Sequence, residues 1–199
     1  MNIPFTTQDP EKDLAWSQLY EEVKRCTACG LCRGREHAVV GDGNPRARVM
    51  LIGEGPGAEE DRQGLPFVGA AGQLLDRMLE AFGLDRTQIY IANIVKCRPP
   101  GNRNPEDSEA KACLPFLRRQ LKLVDARILV CMGTVACKHI IDPQARVSVL
   151  RGRWIDRKGF SILPTYHPAA LLRNDGLMID SWRDMKLLRA RMDELETDQ

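Results

Sequence analysis

Short apolar runs alternate with stretches of helical periodicity, and this alternation restricts the fold more than any other feature of the 199 residues. Val49-Met-Leu-Ile52 is brief, wholly apolar and stopped by Gly53, as expected of a strand buried on both faces. Ile89 to Val95 and Ile128 to Met132 have the same character. Between the first two runs, Ala70, Ala71, Leu74, Leu75, Met78, Leu79 and Phe82 recur on one helical face, and Gly83 closes the pattern. Asp9-Pro10 reads as the cap and first-turn proline of a helix that carries Trp16, Leu19, Tyr20 and Val23 towards Cys26. Asn104-Pro105 opens a helix to Leu121, Thr134 to Ile141 forms a short one, and a last helix runs from Asp180 to Leu195. Gly152 to Asp156 and Phe160 to Pro164 bracket a turn at Arg157-Lys-Gly159. Strands that alternate with helices pair in parallel, with helices over both faces. The expected class is therefore α/β, a three-layer α/β/α sandwich around a central, mainly parallel sheet of about four strands. Ligands of such folds bind beyond the carboxyl ends of the strands, where loops leave here at Gly53, Asn93 and Thr165.

With 43% hydrophobic residues, the chain can bury one substantial core, and a single domain over residues 1–199 is expected. Met1 to Pro10 has no basic segment followed by an apolar run, and no window reaches the roughly 18 apolar residues of a membrane span. A cytoplasmic chain with no membrane partner follows as an expectation. Seven cysteines are an odd number in a chain expected to meet a reducing compartment, which leaves metal binding or burial rather than disulfides. The net charge is only +2, so contact with nucleic acid requires a local basic face.

Cys26-x2-Cys29 offers two thiolates from one turn, and Cys97 and Cys113, with 15 residues between them, offer two more from either side of a loop. Four soft ligands suit an iron-sulfur cluster or zinc; zinc sites normally add a second close pair, which is missing here, but the metal stays open on spacing alone. Cys32 extends the run to C-x2-C-x2-C without the x3-Cys-Pro of bacterial ferredoxins, so one of these three is spare. Cys131 in an apolar strand and Cys137 on a short helix read as small buried hydrophobes.

Several loops carry residues suited to chemistry. Gly53-Glu-Gly-Pro-Gly57 is neither a dinucleotide fingerprint nor a phosphate loop, and Pro56 removes a backbone donor. Its glycines instead let the backbone approach a flat ligand, while Glu54 presents a carboxylate at a strand end. Glu59-Glu60-Asp61 has the composition of a solvated loop, and Phe67 that of a core residue. Asn93 interrupts an apolar strand, where its amide needs partners; a base edge with one donor and one acceptor matches it, as does a neighbouring loop. His167 sits at a loop mouth before a proline that starts a helix, and Leu171 and Leu172 followed by Arg173 suit an apolar wedge beside a phosphate contact, or plain helix burial.

Taken together, the chain resembles the family 4 uracil-DNA glycosylases, the iron-sulfur branch of the uracil-glycosylase superfamily. The resemblance rests on an ordered set: Cys-Thr-Ala-Cys29, Gly41-Asp-Gly-Asn-Pro45, Gly53 to Asp61, Pro66-Phe-Val-Gly69, Asn93-Ile-Val-Lys-Cys-Arg-Pro-Pro100, Cys113 and His167-Pro-Ala-Ala-Leu-Leu-Arg173. It implies hydrolysis of the bond between uracil and deoxyribose in single- or double-stranded DNA, by a monomer carrying a 4Fe-4S cluster on Cys26, Cys29, Cys97 and Cys113. Asn93 then reads the base edge, Phe67 stacks, Gly55 lines the pocket, and Glu60 crowds the methyl position of thymine. His167 donates to the oxygen that gathers charge, Glu54 stabilises the sugar cation or orients water, and Leu171, Leu172 and Arg173 meet the DNA. Arg98 or Arg103 is expected to reach phosphates from the Cys97 to Cys113 loop. That loop lacks the basic Lys-Arg-Arg-Ile-His insertion of one superfamily branch, so ordinary turnover is expected. A non-enzymatic subunit that only binds DNA is the rival reading.

Overall fold

A computed structural model describes residues 5–197. Residues 1–4, part of the amino-terminal stretch read above for a leader, and residues 198–199 of the expected domain lie outside this range. Four strands form the parallel centre: β2 (Val49–Gly53), β3 (Ile89–Asn93), β4 (Ile128–Met132) and β6 (Phe160–Thr165). Two short strands, β1 (Asp42–Gly43) and β5 (Ile155–Arg157), add antiparallel edges beside β3 and β6. The sheet order is β1-β3-β2-β4-β6-β5. The expected four or so strands are thus six in a mixed sheet: β1 lies in the stretch Gly41 to Pro45 and β5 in the first arm of the turn at Arg157-Lys-Gly159, both too short and too poor in apolar residues to form runs of their own.

Helices α1 (Pro10–Arg25), α2 (Ala58–Gln63), α3 (Ala70–Ala81), α4 (Asp107–Val124), α5 (Gly133–Ile140), α6 (Val147–Leu150), α7 (Pro168–Arg173) and α8 (Met178–Thr197) complete the described chain. The period of two along the strands divides their apolar side chains between two cores. Met50, Ile52, Tyr90, Ala92, Leu129 and Cys131 face Trp16, Leu19 and Val23 of α1, Leu117 of α4 and Ala136 of α5. Val49, Leu51, Ile89, Ile91, Val130 and Leu163 face Leu74, Leu75 and Met78 of α3 and Met185 and Leu188 of α8. Each of the larger ones, the valines, leucines, isoleucines and methionines, contributes about 1.5–3 kcal/mol by leaving water, so both helical layers are held by burial rather than by intrinsic propensity.

Two local boundaries differ from expectation. The segment Glu59-Glu60-Asp61 is the body of α2, and Asp61 is buried, accepting the N–H groups of Glu36 and His37 at 3.0 and 3.4 Å. Its charge is used to hold a loop rather than to meet solvent. Helix α4 starts at Asp107, three residues beyond Asn104, because Glu109 reaches back to the Glu106 N–H at 2.8 Å and sets the cap there. The register pairs Gly53 with Asn93 and Met132 with Thr165, which brings the carboxyl ends of β2, β3, β4 and β6 to one side of the sheet.

Candidate active site

A cavity of about 300 Å³ opens at those strand ends, lined by Glu54, Gly55, Pro56, Gly57, Glu60, Phe67, Asn93, His167 and Arg173, with Pro99, Asn102, Arg103 and Asn104 as a further wall. All six residues expected in the pocket, Glu54, Gly55, Glu60, Phe67, Asn93 and His167, therefore meet around one space.

Asn93 closes β3 and is 2% exposed, yet its Oδ1 has no hydrogen-bond partner. A buried acceptor without a partner costs about 1–3 kcal/mol, so the site holds an acceptor that a ligand can satisfy. Gly53 makes room for it: a Cβ there would stand 2.4 Å from Asn93 Oδ1 and 2.8 Å from Phe67 Cζ. From behind, the buried Lys96 donates Nζ to the Asn93 carbonyl at 2.9 Å and to Gln120 Oε1 at 2.5 Å. Burial lowers the pKa of this ammonium to about 8.

His167 caps α7 by accepting the Ala169 N–H on Nδ1 at 3.1 Å. That bond assigns the ring proton to Nε2. Burial, then the nearby Arg173 charge, lowers its pKa to about 4, so the ring is a neutral donor at neutral pH. The ring lies 5.3 Å from that of Phe67, tilted by 32°. Burial raises the Glu54 carboxyl above its usual range, and Arg173 opposes the shift. Glu60 is held by three N–H groups, those of Gly57, Val68 and Gly69, at 3.1, 2.9 and 2.8 Å. Its carboxylate is a fixed wall rather than a mobile charge.

The residues expected to meet DNA separate. Leu171 is 2% exposed and packs in the core with Leu163 and Leu188, whereas Leu172 is 51% exposed. The wedge reading therefore fails for Leu171, since the inner face of α7 is already buried, and only Leu172 and Arg173 remain available on the outer side. Arg103 is paired with Glu109 at 2.7 and 2.9 Å, and Arg98 donates Nε to Asn102 Oδ1 at 2.7 Å; both are tied to the loop that walls the cavity.

A second cavity is lined by Cys26, Cys29, Cys32, Cys97 and Cys113 together with Arg35, Lys96 and Phe116. Several of its sulfurs already receive donors: Arg35 Nη1 to Cys97 Sγ at 3.2 Å, the Lys96 N–H to Cys113 Sγ at 3.3 Å and the Ala28 N–H to Cys26 Sγ at 3.4 Å. Arg35 is itself anchored on the carbonyls of Cys26 and Lys24 at 2.9 and 2.6 Å. Among the described residues, no three of these side chains stand together as ligands of one ion; the five cysteines line one space, and thiolates are soft donors of the kind that iron or zinc takes. Cys131 and Cys137 are buried in the core and do not line this cavity; burial raises the Cys137 thiol to about 12 and that of Cys131 well above its usual value. Arg35, Lys96 and the wall at Pro99 to Asn104 were not singled out from sequence for these contacts; each acts through backbone groups or folding of a loop that carries no periodic signal.

Residues 40–190 match the family model described as the uracil DNA glycosylase superfamily. The chain is 42% identical over 181 residues to a type-4 uracil-DNA glycosylase of Sulfurisphaera tokodaii, covering 86% of this chain and 82% of that protein. It is 45% identical over 156 residues to the type-4 uracil-DNA glycosylase of Thermotoga maritima, covering 77% and 81%. A type-5 uracil-DNA glycosylase of Pyrobaculum aerophilum is 30% identical over 151 residues, covering 67% and 66%.

Proposed function

The chain belongs to the uracil DNA glycosylase superfamily, alongside its type-4 enzymes, and from that premise we propose that its cavity hydrolyses the N-glycosidic bond of deoxyuridine in DNA, releasing uracil and leaving an abasic site. The unpartnered Oδ1 of Asn93 carries this reading: uracil offers N3–H to that acceptor and O4 to the amide nitrogen, a pairing that cytosine reverses. The nucleotide leaves the helix to reach it. Phe67 supplies a flat face for stacking, and the fixed carboxylate of Glu60 stands as a rigid wall against the additional methyl of thymine.

Cleavage moves the bonding pair of C1′–N1 onto the base, so negative charge gathers on uracil O2. His167, neutral and protonated on Nε2, donates there without first having to lose or gain a proton. The sugar gains oxocarbenium character, and Glu54 in its ionised form stabilises that cation or orients the water that adds to C1′. The proton released by water neutralises the departing base. Arg173, which lines the cavity, and the exposed Leu172 beside it would meet the DNA.

Cys26, Cys29, Cys97 and Cys113 would hold a 4Fe-4S cluster, with Cys32 spare. Bound there, the cluster would link the turn after α1, which carries Cys26 and Cys29, to the stretch from β3 into α4 that carries Cys97 and Cys113, and a hydrolysis would ask no electron of it. Asn93, the two thiols and the wall at Pro99 to Asn104 all belong to this one stretch, so fastening it steadies the cavity. We further propose that the whole chain works as one domain and as a monomer in the cytoplasm, where cysteines stay reduced; no helix among the described residues is long and apolar enough to cross a membrane.

Incubation with uracil-containing single- and double-stranded oligonucleotides, followed by alkali, tests the reading: strand scission at uracil is expected, and intact strands with tight DNA binding would instead favour a non-enzymatic subunit.

A further inference from the structure

The geometry points to Arg86, a residue outside the cavity lining, as the positioning residue that sets Phe67 against the base; this inference rests on the stacking role proposed for Phe67. Phe67 has φ +55, in the left-handed region that side chains with a Cβ seldom hold unaided. The peptide that follows it is gripped at both ends. Its carbonyl oxygen accepts from Arg86 Nη2, while its N–H, on Val68, donates to Glu60 Oε1 at 2.9 Å. Fixing both ends fixes the plane of this peptide, hence the ψ of Phe67 and the direction in which its ring leaves the backbone.

Arg86 is suited to this task because its own fork is immobilised. Nη1 donates to the Pro66 carbonyl at 2.9 Å, and Nε donates to Asp76 Oδ1 of α3 at 2.8 Å. Asp42 of β1 adds a carboxylate at 4.0 Å. Two adjacent carbonyls and two carboxylates thus converge on one planar group, a geometry that a lysine ammonium does not reproduce. Helix α3 yields to the same loop: a Cβ at Gly72 would stand 1.8 Å from the Phe67 oxygen, so the first turn must be bare there. Glu60 grips the loop from the cavity side and Arg86 from the outside, which leaves the ring 5.3 Å from His167 as the product of both.

Competitive inhibition by free uracil tests the inference, with affinity for DNA carrying a preformed abasic site measured in parallel, because that DNA offers no base to the ring. Arg86→Gln is expected to weaken inhibition by uracil about tenfold, as misplacement of a positioned group does, while abasic-site affinity stays within about twofold. Arg86→Lys and Asp76→Asn, which loosen the fork without deleting its charge or its site, are expected to show smaller losses of the same kind. A Phe67→Leu control separates this inference from the reading beneath it. If Phe67→Leu leaves inhibition by uracil unchanged, the stacking role itself is lost. If Phe67→Leu weakens it and none of the Arg86 and Asp76 variants does, the positioning role is overturned. A Phe67→Leu/Arg86→Gln double variant no weaker than Phe67→Leu alone supports action through the ring; additive losses contradict it.

Discussion

The two cavities treat their polar groups in opposite ways. At the strand ends, Asn93 keeps a buried acceptor without a partner, burial holds His167 neutral, and burial raises Glu54. In the cysteine cavity, donors already reach Cys26, Cys97 and Cys113, one of them an arginine anchored on two carbonyls. A group left unsatisfied inside a protein is an expense that a passing ligand repays, whereas sulfurs supplied with donors suit a resident group that never leaves. The proposed function puts turnover in the first cavity and fastening in the second, and Lys96 touches both, with its N–H on Cys113 and its Nζ on the Asn93 carbonyl.

The largest expected effect lies in the first cavity. His167→Ala removes the proposed donor to developing charge and is expected to lower the single-turnover rate by roughly 10²–10³-fold, with the cysteine cavity unaffected; an equal loss of the iron content expected of the proposed cluster would break the separation. Deleting a fastening should act differently. Cys97→Ala is expected to abolish the broad absorption near about 400 nm of cysteine-ligated iron and to reduce activity by disordering the Pro99 to Asn104 wall, whereas Cys131→Ala keeps the colour.

The pH dependence separates the two ionisable groups of the site. In the role proposed for it Glu54 must be ionised, and burial raises its pKa, so activity is expected to fall as pH drops into that raised range; Glu54→Gln should be slow and lack this acid limb. As the neutral donor proposed above, His167 is expected to add no limb to the activity profile above its lowered pKa of about 4. For stability the sign is also definite: its folded pKa lies below the unfolded value, so its contribution is present above about pH 6.5 and is lost as pH falls towards 4. The smallest contrast sits within α7. Leu171→Ala is expected to cost about 2–5 kcal/mol of stability by leaving a void in the core. Leu172→Ala leaves stability within about 0.5 kcal/mol and weakens DNA binding only a few fold, read by thermal denaturation and by titration of an abasic-site duplex.

Much of the fold was legible because the central strands are buried on both faces and their runs are wholly apolar, as in Val49 to Ile52 and Ile128 to Met132. The edges were fainter: β1 is only Asp42 and Gly43 paired through the backbone, and β5, with Ile155 as its one apolar residue, showed only as an arm of the turn at Arg157-Lys-Gly159. Asn93 was legible for the converse reason, as an amide where an apolar side chain was due. Glu60 and Asp61 misled because acidic composition does not distinguish a solvated carboxylate from one that accepts backbone N–H groups. Arg86 and Arg35 left no periodic trace either: their partners are carbonyls and a sulfur brought near by the folding of distant segments. Leu171 and Leu172 are adjacent and chemically alike, and only the direction of α7 tells the buried one from the exposed one.

The division between a reacting cavity and a fastening one is tested most directly by single-turnover release of free uracil from a uracil-containing oligonucleotide by Asn93→Ala, a change confined to the first cavity. A fall of about 100-fold or more, with the absorption near about 400 nm retained, is the expected result; release at the wild-type rate would contradict the assignment of Asn93 as the base-reading group.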